Sequence, residues 1–498
     1  MAIYRLRSDI RLERDPSAGT AATGWRAVDP SLARTIKLGD ADAQLLRALA
    51  GGATLAALVK QLRQPPAQLH TRLAALARLY LLQGKRSQRR VALQAERTDF
   101  AKQLQNHAAV EPLEWLTGAD PPRHACQGTG TCCGATFLGP LTDADAARVR
   151  QLTFGTRLGP AQRGLPAQTI RLGVGQSVGP EQVLESVQRG GREYLGMARG
   201  EDEHCLAQGE DLLCDIHREH GSAAKPVACR LFPLRFYRSP RGIHVSLLLA
   251  CDGYERARAA AGPWPEREQE VRALLQEGAP APRLTLPCEL TPGLPLASAD
   301  WWRLRGAFQA AEPVEPDAHA WLLAIVQIAQ LEGQRLSAEL SEGDDTQTLP
   351  RLAGLAQALL QPHQTLGADR TAEAAADLQL RMAELRQRGA RHDAERLADL
   401  RLALLGLQEG LALSPRGKFS GEPDALRQLS DVVANDVQAH IALGHLDAGL
   451  RTLTRRLLVV EALACSLAAR AARTTVTAAD TTRALHVVYR SEPDIAAL

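Results

Sequence analysis

Aromatic side chains are scarce in this chain, at 4% of 498 residues, and methionine occurs only 3 times. Ala and Leu, by contrast, are abundant, and they favour helices. An excess of one charge is also missing: Lys and Arg number 59, Asp and Glu 56, for a formal net charge of +3. Such a balance supplies no field to draw the chain to a nucleic acid or an anionic membrane. Long apolar runs are absent too. A membrane-spanning helix needs roughly 18 uncharged apolar residues, and the longest candidate, 457–472, is flanked or broken by Arg455, Arg456, Glu461 and Arg470. The N-terminal Met-Ala-Ile-Tyr-Arg-Leu-Arg-Ser-Asp has no secretory core, so a cytoplasmic protein is expected. There is no Walker loop and no Cys-x-x-x-Cys-x-x-Cys radical motif.

Cysteine, by contrast, is concentrated. Of 9 cysteines, 7 fall between Cys126 and Cys251. The first group reads Cys126-Gln-Gly-Thr-Gly-Thr-Cys132-Cys133-Gly134. The second contains Cys205, then Cys214-Asp-Ile-His217, then Lys225-Pro226-Val-Ala-Cys229-Arg230-Leu-Phe232-Pro233, with Cys251 beyond. Gly and Pro beside cysteines permit tight turns that aim several sulfurs at one point. Converging thiolates bind zinc, or iron in an iron–sulfur cluster. In a reducing compartment this outweighs the alternative of disulfides, which would leave one thiol over. Adjacent Cys132 and Cys133 do not easily serve one tetrahedral ion, but they can bind one metal each or a polynuclear cluster.

A chain of 498 residues exceeds one ordinary core, so several domains are expected. Residues 1–82 hold short strand candidates at Ile3 to Arg14, Gly24 to Pro30 and Thr35 to Leu38. Three helices follow: one from Asp40 carrying Ala43, Leu45, Leu46 and Leu49; one capped by Thr54; and one opened by Pro65-Pro66 with Leu69, Leu73, Leu76 and Tyr80 in register. Strands followed by short helices suggest a winged-helix-like unit. Residues 83–123 form a connector in which Lys85, Arg86, Arg89 and Arg90 are expected on a solvated face. Residues 124–299 carry the cysteines; Thr142-Asp-Ala-Asp145 opens a helix with a capping box, and 155–192 is expected to be a loop-like insertion. Residues 300–498 read as helices. Trp321 to Leu331 is expected to be buried, a long amphipathic helix runs from Leu446 to near Arg473, and Thr477 caps a last one. The fold class expected is mainly α, with a small α+β winged-helix-like N-terminal domain and an irregular cysteine-rich metal domain.

Two resemblances refine this. Arg5-Leu-Arg-Ser-Asp-Ile-Arg-Leu, the run from Leu38 to Leu49, the Gly-Gly-Ala-Thr-Leu turn and Leu79-Tyr-Leu-Leu resemble a PqqD-type domain, the small fold that presents a precursor peptide to modifying enzymes. That resemblance implies a peptide partner bound by strand addition. The alternative is a generic winged helix used for packing or nucleic-acid contact. The cysteine groups resemble the CxxCxxCC (YkgJ-type) zinc- or iron-chelating family, which includes flagellin lysine-N-methylases. Cys126, Gly130, Cys132, Cys133, Cys214, Ile216, His217, Lys225, Pro226, Cys229, Phe232 and Pro233 match its pattern. Thr129 stands where a further cysteine is expected, and Cys205 or His124 could replace it.

The metal ligands implied are Cys126, Cys132, Cys133, Cys214, Cys229 and Cys251, with Cys205 next. The cofactor implied is an iron–sulfur cluster, zinc being the alternative, with S-adenosylmethionine as methyl donor for a lysine on a peptide or protein substrate. Arg230 and Lys225 are expected to favour the Cys229 thiolate, and Arg235 and Arg238 to offset cluster charge. His217 is expected to pack or hydrogen-bond rather than ligate, and Cys465 to be a small core residue. Gly175-Gln-Ser177-Val-Gly179 matches a nucleophile elbow formally, but its flanks read as loop. Three roles stay open: a modifying enzyme, a peptide-delivery module stapled by zinc, and a metal or redox sensor.

Overall fold

The computed structural model describes residues 3–15, 24–103, 112–115, 123, 126, 133, 141–152, 154–155, 177–178, 184–189, 192–198, 205–209, 211–239, 241–247, 249, 251, 260–278, 289–340, 350–360, 374–376, 378–380, 382–383, 401–405, 421–439 and 446–491. It is mainly helical with small sheets. β1 (Ile3–Tyr4) precedes an antiparallel sheet of β2 (Arg11–Arg14), β3 (Trp25–Asp29) and β4 (Arg34–Leu38), with β3 central. β1 pairs instead with β5 (Ala53–Thr54). α1 (Asp40–Ala48) buries Ala43, Leu45 and Leu46 and stops before Gly52, which sits at φ +84°. In α2 (Leu55–Leu62) the Thr54 hydroxyl accepts from the Ala57 N–H at 3.3 Å. α3 (Pro66–Arg78) opens on proline and buries Leu69, Leu73 and Leu76. These leucines close an aliphatic core with Leu6, Ile10, Ala27 and Leu38; each buried leucine is worth about 1.5–3 kcal/mol.

One carboxylate pins this unit. Asp29, 0% exposed, takes both terminal nitrogens of Arg7 at 3.0 and 3.3 Å, the Arg34 Nε at 3.3 Å and the Leu32 N–H at 3.2 Å. Arg7 also donates to the Tyr80 carbonyl at 3.0 Å, which ties the first strands to the end of α3.

α4 (Lys85–Gln103) departs from expectation. Arg89 and Arg90 on its basic face are docked rather than solvated, while Lys85 stays exposed. Arg89 binds Asp300 and Glu339, and Arg90 lies 3.8 Å from Glu289. The physical reason is the acidic surface opposite, whose carboxylates need cations once water is displaced.

β6 (Leu113–Trp115) is followed by α5 (Asp143–Gln151), β7 (Phe154–Gly155), β8 (Ser177–Val178) and the hairpin of β9 (Leu184–Arg189) with β10 (Arg192–Met197). The end of the expected insertion is therefore a regular hairpin. α6 (Asp215–His220), α7 (Val227–Leu231), β11 (Leu234–Ser239) and β12 (Gly242–Leu247) come next. β12 pairs antiparallel with β11 and parallel with β6, setting Glu114 beside His244. Gly242 adopts φ +129°, and a side chain there would collide with the Pro112 carbonyl, so this corner requires glycine.

The rest comprises α8 (Glu268–Gln276), β13 (Glu289–Thr291), β14 (Leu294–Pro295), α9 (Ser298–Ala310), α10 (Ala318–Leu340), α11 (Pro350–Leu360), α12 (Pro423–Ala439), α13 (Leu446–Arg470) and α14 (Ala478–Ser491). One apolar core runs from Val227 to Val488 and passes straight through the boundary expected at 299. Trp321, Leu322, Ile325, Val326 and Ala329 are buried as expected, whereas Leu331 is 66% exposed. Thr477 and Asp480 cap α14 reciprocally, at 2.9 and 3.4 Å. Among the described residues no helix is long and apolar enough to cross a membrane.

Two outcomes follow for stability. Asp29→Ala leaves the nearly buried Arg7 with the more exposed Asp9 as its remaining carboxylate, and should cost about 3 kcal/mol in chemical denaturation. Glu114 tests the second sheet. Burial alone would raise its carboxyl, but the hydrogen bond to His244 and the Arg305 charge outweigh that and lower it from 4.5 to about 2. A lowered folded value stabilises the fold above the ordinary pKa and is lost as pH falls through the folded one. The urea midpoints of the wild type and Glu114→Gln should therefore differ at neutral pH and converge between about 4.5 and about 2; a constant gap would contradict this.

Candidate metal centre

The thiols divide into an inner and an outer set. Cys133, Cys205 and Cys214 share one small apolar cluster with Val149, Met197, Ala207 and Ile216. The Cys205 N–H donates to the Cys133 carbonyl at 3.1 Å, which fixes the first cysteine group against the second. Gln208, three residues on, bridges to Cys214, and the Asp215 N–H donates to the Ala207 carbonyl at 2.7 Å. Cys214 is thereby presented at the N-cap of α6. Cys229 rides on α7, and the charges of Cys133 and Cys214 act on its thiol. Cys126 is exposed and reaches this neighbourhood electrostatically through Lys225. Cys251, 5% exposed, lies beyond β12 and is not among the charges that dominate the shifts at Cys205, Cys214 or Cys229. Cys132, Thr129, Gly130, His124 and Cys288 lie outside the described residues.

Burial decides the protonation of the inner set. It pushes the Cys205 thiol well above its usual value, and the neighbouring thiolates add to the rise. Cys214 is raised for the same first reason, partly offset by the His217 N–H. Cys229 is pushed up to about 12 by burial, despite the opposing Lys225 ammonium. Lys225 favours the Cys229 thiolate as expected, but desolvation outweighs it. Arg230 is instead engaged by Glu277, which takes its guanidinium. Arg235 and Arg238 lie half-buried on β11. Lys225 itself is raised: burial opposes its charge, but Cys214, Cys229, Cys126 and Cys133 outweigh it.

The segment from Lys225 to Cys229 is braced from α5. Asp145, 1% exposed, completes the capping box with Thr142 and accepts the Val227 N–H at 3.1 Å, so one carboxylate caps two helices. Arg148 binds Asp145 and donates to the Lys225 carbonyl at 3.3 Å. The capping-box spacing was legible in the sequence; its second client, far along the chain, left no local signal. Gly209 is hemmed in by Asp211, Asp215 and Arg218, where a side chain would collide.

His217 and His220 are exposed on α6, so the packing expected for His217 is not observed. Cys465 packs against the large core, and burial pushes its thiol to about 11. Ser177 lies on β8, paired with β7, rather than in a loop.

The donor set suits a thiophilic ion: several soft sulfurs, an apolar lining and one ammonium to offset negative charge. Among the described residues, no three His, Cys, Asp or Glu side chains form a group that could hold a metal ion. The described cysteines are free thiols. No protein-family model, no curated protein and no solved structure matches this chain. The resemblances therefore rest on the residues quoted for them.

Removing the brace should loosen the site. Asp145→Ala deletes acceptors for Val227 and for its own helix start, and should cost about 2–3 kcal/mol in urea unfolding. Labelling of Cys229 by a thiol reagent should accelerate in native buffer. An unchanged labelling rate would show that α7 is held by other contacts.

Proposed function

We propose that this chain is a cytoplasmic cysteine-cluster metalloprotein that modifies a peptide or protein held by its N-terminal unit. The observation that supports the proposal is that Cys133, Cys214 and Cys229, from segments scattered over the sequence, act by charge on both Cys205 and Lys225, although as placed they do not form a ready metal-holding group among the described residues. These four cysteines would hold an iron–sulfur cluster or zinc, with Cys126, Cys132 and Cys251 as the remaining ligand candidates. Such a group, when bound, supplies Lewis-acid or electron-transfer chemistry. Metal binding would replace the thiol protons that burial otherwise retains. Lys225 would then balance part of the thiolate charge.

The N-terminal unit is proposed to be winged-helix-like and PqqD-like, joined to an irregular metal domain and a helical C-terminal domain. β2 and β4 each pair only with β3 among the described strands. Each offers an edge to which an extended peptide can add as a further strand. Trp25, flanked by Arg14 at 4.8 Å and Arg47 at 3.8 Å, lies on this sheet. The reaction implied by the resemblance is methyl transfer from S-adenosylmethionine to a lysine amine.

Metal and acid-labile sulfide in protein purified without oxygen test this reading. Iron and sulfide with absorption near roughly 400 nm are expected, lost in Cys214→Ser and Cys229→Ser and retained in Cys465→Ser. Colourless stoichiometric zinc would make the site a structural staple in a peptide-delivery module. Protein that binds neither metal would overturn the proposal.

A further inference from the structure

A second polar cluster lies where β6, β12 and α9 meet. Ser239, the last residue of β11, hydrogen-bonds to the Nε2 of His244. The Nδ1 of His244 faces Glu114 Oε2 at 3.0 Å. Arg305 donates from Nη2 to Glu114 Oε1 at 2.7 Å. The imidazole is 0% exposed and stacks on Trp302, with ring centroids 5.3 Å apart. Backbone register builds this row. Ser239 is opposite Gly242 and Tyr237 is opposite His244, so Ser239 and His244 are diagonal neighbours on one face. The parallel pairing then sets Glu114 opposite His244 on the next strand.

Proton positions follow from the partners. Nδ1 faces the Glu114 carboxylate at 3.0 Å and, farther off, the Arg305 Nη1 at 3.5 Å; the nearer carboxylate can only accept, which assigns the ring proton to Nδ1. The Nε2 lone pair is left facing the serine hydroxyl, which donates to it. Mere satisfaction of a buried histidine would need only a neutral acceptor at Nδ1. Here the acceptor is anionic and is held in place by a buried guanidinium. That fixes the ring with Nε2 toward the hydroxyl and sets a negative charge beside the imidazolium that would form when the hydroxyl proton moves. Ser239 is 4% exposed and lies at the hairpin corner next to the exposed Arg241. The Arg241 guanidinium stands over Trp302 at 4.7 Å, and among the described residues no carboxylate pairs with it. The Arg241 N–H donates to the Ser239 oxygen at 3.1 Å and holds it at the corner.

We propose that Ser239 is a nucleophile activated by His244, with Glu114 as positioning residue, and that it takes the acyl group of a small carboxylic ester bearing a negative charge. Ser239 Oγ bonds to the ester carbonyl carbon while its proton passes to His244 Nε2. The ester C–O bond breaks, and the leaving alcohol takes that proton. Water reverses the sequence and releases the acid. Arg241 supplies the cation that selects an anionic ester. This site is independent of the thiols and of any metal they hold.

The test uses the full chain with p-nitrophenyl hemisuccinate, p-nitrophenyl acetate and a fluorophosphonate. The expected result is an initial burst of nitrophenolate, with one acyl or phosphonyl group mapped to Ser239 by mass spectrometry. Acylation should vanish in Ser239→Ala and fall roughly 100-fold or more in His244→Gln. It should fall in Glu114→Gln and be partly rescued by Glu114→Asp, under conditions where thermal unfolding shows both variants folded. Arg241→Ala should remove the preference for the hemisuccinate over the acetate. Ser246→Ala, on the strand of His244 but outside the row, should acylate normally. Thermal unfolding of each variant separates loss of chemistry from loss of fold. No adduct at Ser239, or labelling undiminished in folded His244→Gln, would overturn the proposal.

Discussion

The parallel pairing of β6 with β12 is the constraint on which most of the molecule depends. The chain leaves this small sheet at Trp115 and re-enters it at Leu234 on β11. Everything that carries the inner thiols is therefore an excursion with both ends fixed to one sheet. Closing so long a loop has an entropic cost that grows only slowly with its length. The large core beneath the sheet, which includes Val245, Leu247, Trp301 and Phe308, offsets that cost. The same pairing delivers Glu114 to His244 and Arg305, linking connector, sheet and α9 in one hydrogen-bonded row.

Within the excursion, packing alone supplies little. Its apolar cluster is small, and three of its members are cysteines that are more polarisable than bulky. Directed hydrogen bonds make up the difference: Cys205 to Cys133, Asp215 to Ala207, and Asp145 to the start of α7. Burial is nonetheless sufficient to hold the inner thiols protonated beside a charged lysine. The arrangement of these thiols is set by backbone hydrogen bonds more than by side-chain packing.

Much of the architecture was legible because its signals were local. Proline at the start of α3, Gly51-Gly52 after α1, Thr54 at α2, the Thr142–Asp145 box and Thr477 before α14 mark element ends without reference to the rest of the chain. The cysteine grouping was legible as well, although Cys205, ranked behind the others, lies at the centre of the inner set. Long-range features were not. β6 is too short for a periodic signal, and its partner lies far along the chain. The β9–β10 hairpin was hidden because its strands fall at the end of a segment read as a Gly-, Gln- and Pro-rich insertion. The basic face of α4 reads the same whether it meets water or Asp300. Ser239 and His244 become neighbours only through hairpin register, which spacing alone does not disclose.

The docking of α4 carries an implication for how such a sequence can drift. Arg89 serves Asp300 and Glu339 together, while Asp300 also receives Arg303 and Arg335, and Glu332 takes both of those arginines. No member of this lattice can change sign alone without leaving a part-buried charge facing its like. Positions far apart in the chain are therefore bound to vary as a group. In a collection of descendants, the attachment of α4 to the helical core would be readable as correlated charge reversals.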